Sequence, residues 1–427
     1  MSALDRFDHD FAEALVDLAG PRTPGYIDDV LERAVSRRQR PAWTFPERWI
    51  PMGVLARRPA FFPALPWRTI GLLIILAVLL AAVLAIGVGS LLQRTAPPYG
   101  LAANGPVVYS ENGDIYSRDL ATGTATLLVG GPEVDVGPWF ARDGTRFAFV
   151  RVTSQEPETI ALMVADADGS NVHMVVEQEV AGELHWIEWS PNGDTLVIRN
   201  SAEGVPPLSV VNVNGEPQRR AINVPLEIGV VDWRPGTDEL IFIGRESEAP
   251  SAAWGIHAIG MDGTGLRELV PPPSDNGTHH GPFSLSHDGR FLAYTSANAT
   301  GHVSSHILDL ESGETRDLGG SFNQAWATFS PDGERLALVR YSGSGSTAQA
   351  FIGSAGGDGT DAVAIGPEVR NQPNTPGLRI QFSPDGRNLL IVHAAKAEAW
   401  VADVASGDHE SVSLGEEEWV TWQRRAP

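Results

Sequence analysis

The sequence contains no cysteine, which excludes disulfide bonds and every zinc site built on thiolates. Positive charge is scarce after residue 94: residues 95–427 carry a net charge of −24, whereas residues 1–94 carry +2. A surface this acidic repels phosphate backbones, so we expect no nucleic-acid partner. The acidic stretch 166–171 (DADGSN) lacks the spacing and the distal glutamate of a calcium loop. We therefore expect neither a metal site nor a cofactor.

Charge is also absent from residues 69–93, a run of 25 residues. About 20 apolar residues cross the hydrocarbon core of a bilayer as a helix. The run is too long, and lies too far from the N-terminus, for the apolar part of a signal peptide. It predicts an uncleaved transmembrane helix over residues 69–92, which makes the chain a single-pass membrane protein with the lipid bilayer as one of its partners.

The distribution of arginine predicts the orientation of this helix. Between Arg33 and Arg68 there are eight arginines and one acid, Glu47. Because the positive flank of a span stays in the cytoplasm, residues 1–68 are expected inside the cell and residues 95–427 outside. The predicted localisation is the cell membrane, with a cytoplasmic N-terminus and an extracytoplasmic C-terminal domain.

Residues 1–66 form the predicted cytoplasmic segment. Apolar residues recur there at helical spacing, first at Phe7, Phe11, Leu15 and Leu18 and again after Thr23, so we expect a short helical N-terminal segment. The segment either lies on anionic lipid or binds a cytoplasmic protein partner. In layout the chain is similar to membrane-bound anti-sigma factors, although the zinc-type members carry a His-x-x-x-Cys-x-x-Cys motif and this chain has no cysteine.

The C-terminal part of the chain is built from repeats. One unit recurs six times: an apolar strand, a tight turn of the S-P-D-G type, and a second apolar strand. The copies are WFARDGTRFAFVR (139–151), EWSPNGDTLVIRN (188–200), DWRPGTDELIFIG (232–244), FSLSHDGRFLAYT (283–295), TFSPDGERLALVR (328–340) and QFSPDGRNLLIVH (381–393). Their spacing of 44 to 53 residues matches one four-stranded blade of a β-propeller.

The two ends of this repeat region complete each other. Residues 107–129 contain the second, third and fourth strands of a blade, and residues 418–423 contain a first strand with nothing after it. Pairing them closes the ring and removes the open sheet edges. The sequence therefore predicts an all-β, seven-bladed β-propeller over residues 107–423, joined to the membrane helix by a linker over residues 93–106.

The S-P-[DN]-G turn, together with the D-x-x-G turn after each third strand, resembles the signature of TolB-like, WD-repeat-related propellers. The resemblance runs from about Val107 to Gln423. It implies the propeller fold, and because the namesake of the family has six blades, a six-bladed ring is the alternative to seven. Within the turns, Ser190, Ser330 and Ser383 are expected to hydrogen-bond to the turn itself, so they recur for geometry and not for catalysis.

Binding residues are expected on the face of the propeller that carries the long, variable loops, because variable loops on a rigid scaffold are where binding is usually built. We expect this face to point outward and to bind an unidentified protein or glycan. The candidate binding residues on it are Trp254, His279, His280, His302 and Arg370. The alternative for the histidines of this region, which include His306, is a metal or acid–base site.

These observations predict a membrane-anchored, extracytoplasmic β-propeller that acts as a binding or scaffold module. No catalytic residues are expected and the chain is not expected to be an enzyme, since no set of nucleophile, base and acid is visible and the G-x-S-x-G motif of hydrolases is absent. One alternative function is a transmembrane signalling regulator of the anti-sigma type with an external sensor propeller. A second alternative is a hydrolase that uses the propeller channel.

Overall fold

The computed structural model describes residues 74–75, 95–155, 158–179, 184–200, 206–215, 218–246, 253–273, 278–319, 323–342, 345–370, 377–393, 396, 398–415 and 420–426. The predicted cytoplasmic segment 1–66 and nearly all of the predicted span 69–92 lie outside the described residues. Within the described ranges, no helix is long and apolar enough to cross a bilayer.

The described residues form seven four-stranded antiparallel sheets, which are the blades of a β-propeller. The blades, each with its strands in order from the channel outward, are as follows. Blade 1 consists of β28 (Val420–Arg425), β1 (Ala103–Glu111), β2 (Asp114–Arg118) and β3 (Ala125–Val129). Blade 2 consists of β4 (Val134–Phe140), β5 (Arg146–Gln155), β6 (Glu158–Asp166) and β7 (His173–Glu179). Blade 3 consists of β8 (Leu184–Trp189), β9 (Thr195–Asn200), β10 (Leu208–Asn212) and β11 (Gln218–Ile222).

The remaining four blades repeat the same order. Blade 4 consists of β12 (Leu226–Trp233), β13 (Glu239–Glu246), β14 (Gly255–Gly260) and β15 (Arg267–Val270). Blade 5 consists of β16 (Thr278–Leu285), β17 (Phe291–Ala297), β18 (Val303–Asp309) and β19 (Thr315–Leu318). Blade 6 consists of β20 (Asn323–Phe329), β21 (Arg335–Tyr341), β22 (Thr347–Ser354) and β23 (Val363–Arg370). Blade 7 consists of β24 (Leu378–Phe382), β25 (Asn388–His393), β26 (Glu398–Asp403) and β27 (His409–Val412).

Blade 1 confirms the predicted closure of the ring. The C-terminal strand β28 pairs antiparallel with β1, with Val107 opposite Trp422 and Tyr109 opposite Val420. The indole Nε1 of Trp422 donates a hydrogen bond to the carbonyl oxygen of Gly105, at 2.9 Å. The prediction of seven blades is confirmed, and the six-bladed alternative is excluded.

The S-P-D-G turns have the local structure expected of them. In blade 7 the Ser383 hydroxyl donates to Asp385 Oδ1 at 2.6 Å and accepts from the backbone N–H of Asn388 at 2.9 Å. Ser190 and Ser330 make the same contacts in their own turns, and all three serines are buried. The predicted structural role of these serines is confirmed.

The core lies between neighbouring blades, where alternate side chains of each sheet pack against the next sheet. The buried Trp189 and Trp233 are among its largest members. Each indole Nε1 donates to a backbone carbonyl of the preceding inner strand: Trp189 to Trp139 at 3.0 Å and Trp233 to Glu188 at 3.3 Å. These contacts fix the inner strands of blades 2, 3 and 4 relative to one another around the channel.

Candidate functional site

The inner strands of all seven blades converge on a cavity of about 440 Å³. The cavity lies at the end of the channel where the turns between the first and second strands of each blade are found. We call this end of the channel the channel mouth. Its walls combine aromatic rings with a few polar side chains, as in many ligand sites. The lining includes the side chains of Tyr99, Arg142, Glu188, Asp232, Trp326 and Arg424.

Three ionisable side chains from successive blades meet in this cavity. Arg142 follows β4 in blade 2, Glu188 lies in β8 of blade 3, and Asp232 lies in β12 of blade 4. Arg142 Nη2 lies 2.5 Å from Asp232 Oδ1 and 3.9 Å from Glu188 Oε2. All three side chains are mostly buried, with exposed fractions between 21% and 27%. The arginine therefore bridges two carboxyl groups at the wall of the channel.

The surroundings change the acid–base properties of this group. Burial, and then the neighbouring Asp232, raises the pKa of Glu188 from 4.5 to about 8, although Arg142 opposes the change. Burial alone lowers the pKa of Arg142, but Asp232, Tyr99 and Glu188 raise it overall. Glu188 therefore takes up a proton more readily than an exposed glutamate does, and its protonated form is a hydrogen-bond donor, while Arg142 stays a cation.

A second arginine lies at the channel mouth. Burial, followed by the charge of Arg142, lowers the pKa of Arg424 to about 10, so that it is still a cation at neutral pH. Two guanidinium groups thus lie beside the carboxyl groups of Asp232 and Glu188, in a part of the chain whose overall charge is strongly negative. The channel mouth therefore holds two cations, Arg142 and Arg424.

Residues 95–102, which we call the tether segment, cross the channel mouth before β1 begins. The backbone N–H of Ala96 donates to the carbonyl of Asp143 in blade 2 at 3.3 Å, and that of Ala102 donates to Pro384 in blade 7 at 2.9 Å. Between these points, Arg424 donates to the carbonyl oxygens of Pro97 at 3.0 Å and Gly100 at 2.6 Å. The segment is therefore held at both ends and in its middle.

Tyr99 places its ring in the cavity. The guanidinium of Arg142 lies 4.9 Å from the centre of this ring, a cation–π distance. Burial raises the pKa of Tyr99 to about 12. The Tyr99 hydroxyl is buried without a hydrogen-bond partner among the described residues. The site therefore binds Tyr99 through its aromatic ring, which contacts Arg142, and not through its hydroxyl group.

The backbone of the cavity wall is strained at Trp326. This residue occupies a β-bulge of β20 with a φ of 60°, whereas the corresponding residue of blade 2 is Gly137, with a φ of 62°. A side chain in this conformation costs about 1–2 kcal/mol. The strain is located where the indole lines the cavity, and such outliers concentrate at binding sites.

The binding residues predicted from sequence lie at the other end of the blades. Trp254 directly precedes β14, His302 precedes β18, and Arg370 ends β23, so they belong to blades 4, 5 and 6 on the face of the long connections. None of the three lines the cavity, and Trp254 lies under the guanidinium of Arg245 at 4.6 Å. Their role in binding stays a prediction.

Two of the predicted binding residues, both histidines, lie in a strand although they were expected in a loop. His279 and His280 belong to the inner strand β16 and not to a loop, and their side chains lie outside the described residues. His306, also expected in a loop, lies in β18. Among the described residues no group of three or more His, Asp or Glu side chains could hold a metal ion.

A hydrogen-bonded chain of Ser296, His306 and Asp317 crosses the outer three strands of blade 5. Ser296 Oγ lies 2.6 Å from His306 Nε2, and His306 Nδ1 lies 2.6 Å from Asp317 Oδ1. This is the order of groups found in nucleophile–base–acid sets, and the expectation of no catalytic residues stays a prediction. The set cannot be recognised in the sequence because its three residues are brought together only by the register of β17, β18 and β19.

Solved structures with the same fold include enzymes. The chain is similar to the oligogalacturonate lyase of Vibrio parahaemolyticus, with 13% identity, a TM-score of 0.53 and coverage of 74% of this chain and 91% of that chain. It is also similar to a periplasmic gluconolactonase of Pseudomonas aeruginosa, with 16% identity, a TM-score of 0.51 and coverage of 75% and 99%. TolB from Acinetobacter baumannii matches at 16% identity, with a TM-score of 0.45 and coverage of 75% and 80%.

No protein-family model matches the chain, and no curated protein matches it. At these low identities the structural matches establish the β-propeller fold. They also contradict the expectation that the chain is not an enzyme, because propellers of this fold occur as a lyase and a lactonase. The fold gives no argument against catalysis, and that expectation is withdrawn.

Proposed function

We propose that the protein is a membrane-anchored, extracytoplasmic β-propeller that binds its ligand at the channel mouth. The observation that carries this proposal is the cavity of about 440 Å³ in which Arg142 bridges Asp232 and Glu188. Charged groups are costly to desolvate and are seldom retained in a cavity for packing alone. The membrane anchor and the external location rest on the uncharged run 69–93 and the arginines before it.

The charges of the channel mouth indicate the chemistry of the ligand. Arg142 and Arg424 offer guanidinium donors, and the raised pKa of Glu188 favours its protonated form, which offers an O–H donor. Such a set favours a ligand with a carboxylate or several acceptor oxygens. The lyase and the lactonase of the same fold act, by their names, on an oligogalacturonate and a gluconolactone, which makes these compounds and gluconate suitable probes.

The test uses the full chain in detergent micelles and measures binding and turnover of the three probes. The site variant is Arg142→Met with Asp232→Asn, which removes both charges together and leaves no unpaired ion. The control is Arg290→Met with Asp309→Asn, which removes an ion pair of 2.7 Å in blade 5 between the residue before β17 and the last residue of β18, neither of which lines the cavity. We expect at least one probe to bind the wild type and the control but to bind the site variant at least tenfold more weakly. Binding of no probe, or equal binding by all three proteins, would contradict the proposal.

A second candidate function is acyl-ester hydrolysis by Ser296, favoured by its contact with His306 and by the contact of His306 with Asp317. Asp317 is 78% exposed, so water competes for its carboxylate and the imidazole is held less firmly than in a buried set. Incubation with a fluorophosphonate probe is the test. Labelling that is lost in Ser296→Ala, and kept in Ser304→Ala on the neighbouring strand, would support hydrolysis; absence of labelling in the wild type would exclude it.

A further inference from the structure

The tether segment lies in the channel mouth as a bound peptide would. Its main chain is hydrogen-bonded at Ala96 and Ala102 to two different blades, and Arg424 donates to two of the carbonyl groups between them. Sites that bind extended peptides work in this way: main-chain hydrogen bonds supply affinity, and a pocket for one side chain supplies selectivity. These hydrogen bonds are made by main-chain groups of the segment, so the bonds that Arg424 donates do not depend on which side chains Pro97 and Gly100 carry.

The side chains of the segment lie in different environments. Tyr99 enters the cavity beneath Arg142, whereas Leu101 is 52% exposed. Gly100, with a φ of 78°, makes the bend that follows the tyrosine. The Tyr99 hydroxyl has no hydrogen-bond partner in the described part of the chain, so the cavity recognises an aromatic ring through Arg142 and the surrounding aromatic wall.

The residues across the channel are also close to this bend. A side-chain carbon at Gly100 would lie 4.0 Å from the ring of His287 in blade 5 and 4.0 Å from the carbonyl of Pro331 in blade 6. The segment therefore spans the mouth from the turn of blade 2 to the turns opposite. A ligand ring that packs on this face of the Arg142 guanidinium would have to replace the ring of Tyr99.

We propose that the channel mouth is a peptide-binding site for an extended segment with an aromatic side chain, and that residues 96–102 occupy it as an internal ligand which an external peptide displaces. The inference rests on the proposed function in one respect, that the channel mouth is the ligand site. Because the internal ligand is covalently attached, its effective concentration is on the order of millimolar. An external peptide therefore binds tightly only when the internal segment is weakened.

The test measures peptide binding to the full chain in detergent micelles. The probe is the capped heptapeptide with the sequence of residues 96–102 (APPYGLA), and the comparison peptide has alanine at the tyrosine position. The proteins are the wild type, Tyr99→Ala, Tyr99→Phe and the control Tyr116→Ala, which removes a phenol that stacks on Tyr109 in blade 1. Isothermal titration gives the dissociation constants.

We expect Tyr99→Ala to bind the heptapeptide at least tenfold more tightly than the wild type. Tyr99→Phe and Tyr116→Ala should bind it as weakly as the wild type, because the first keeps the ring in the cavity and the second leaves the site intact. The alanine peptide should bind Tyr99→Ala at least tenfold more weakly than the heptapeptide. Equal binding by the wild type and Tyr99→Ala, or binding by neither, would overturn the inference.

Gly100→Ala provides an independent variant in case Tyr99→Ala does not fold. Alanine at a φ of 78° is strained, yet its Cβ has room, so the substitution weakens only the docked form of the segment. It should also raise the affinity for the heptapeptide, and an unchanged affinity would count against the inference. The three probes of the proposed function are titrated into Tyr99→Ala as well. Binding of such a probe without binding of the heptapeptide would leave the proposed function standing and reject the peptide site.

Discussion

Glu188 is a residue whose charge state should affect stability near neutral pH. Its pKa is raised from 4.5 to about 8 in the folded protein, mainly by burial and then by Asp232. The folded state therefore holds the proton more tightly than the unfolded state does. The resulting stabilisation is fully present below about pH 4.5 and is lost as the pH rises through about 8.

We predict that Glu188→Gln removes this pH dependence, because glutamine cannot ionise. Between pH 5 and pH 8, the free energy of unfolding of the wild type should fall relative to that of the variant by up to about 1.4 kcal/mol per pH unit. The decrease should be smaller than this limit because the Glu188 side chain is 27% exposed. Urea unfolding at several pH values measures the difference. Parallel curves for the two proteins would show that Glu188 ionises normally in the folded state.

At the scale of strands and turns, the turn of blade 2 packs closely against the closing strand β28. The Gln423 side chain of β28 donates to the carbonyl of Gly144 at 2.7 Å. A Cβ at Gly144 would lie 1.8 Å from the carbonyl oxygen of Arg424, closer than any real contact. Glycine is required there both for its φ of 70° and for the close approach of β28.

Gly144→Ala should therefore destabilise the propeller by at least about 2 kcal/mol more than Gly407→Ala. Gly407 has a φ of 77° but nothing within 4 Å of its Cβ position, so its substitution contributes only the backbone strain. Thermal unfolding of the two variants measures the difference. If both lower the melting temperature equally, the turn does not support the closing strand.

Strand β28 itself should be essential for closure. It pairs with β1 and brings Trp422 against the buried Val107 and Tyr109. Deleting residues 420–427 leaves the edge of β1 open and exposes these side chains, so the melting temperature should fall and aggregation should increase. Deleting only Ala426 and Pro427 is the control, since both follow β28. An unchanged melting curve for the longer deletion would mean that the ring does not depend on this strand.

The turns show why the fold was predictable from the sequence. Ser383 and Asp385 build their turn through contacts within a few residues, so the motif and its spacing are enough to count blades. The channel mouth was not predictable in this way. Arg142, Glu188 and Asp232 are separated by more than forty residues from one another and meet only because three inner strands pack around the channel. Tyr99 lies in a linker whose sequence carries no repeat.

The cavity lies on a different face of the propeller from the one that the sequence favoured for binding, again because the residues that form it are far apart in the sequence. Loop length and variability favoured the face that carries Trp254, His302 and Arg370, and nothing in the sequence reveals which end of a channel is wide. The structure locates the cavity among the short turns instead. The Ser296 set was also hidden, because only the register of three strands places His306 between Ser296 and Asp317.

At the scale of the whole molecule, the proposed function requires that the propeller and residues 1–68 lie on opposite sides of a membrane. This arrangement rests on the uncharged run 69–93 and on the eight arginines between Arg33 and Arg68. After Arg94 the next basic residue is Arg118, so the flank of the run on that side carries few positive charges, as expected for the exported side.

Protease added to intact spheroplasts should therefore digest residues 95–427 and spare residues 1–68, and an antibody to each part should detect this on a blot. Rupturing the spheroplasts before the protease is added provides the control, since both parts should then be digested. A variant with the arginines between Arg33 and Arg68 changed to glutamine removes the charge that holds the N-terminus inside, so a fraction of its chains should invert. If the propeller is protected in intact spheroplasts while residues 1–68 are cut, the predicted orientation is reversed, and the channel mouth would meet cytoplasmic rather than external ligands.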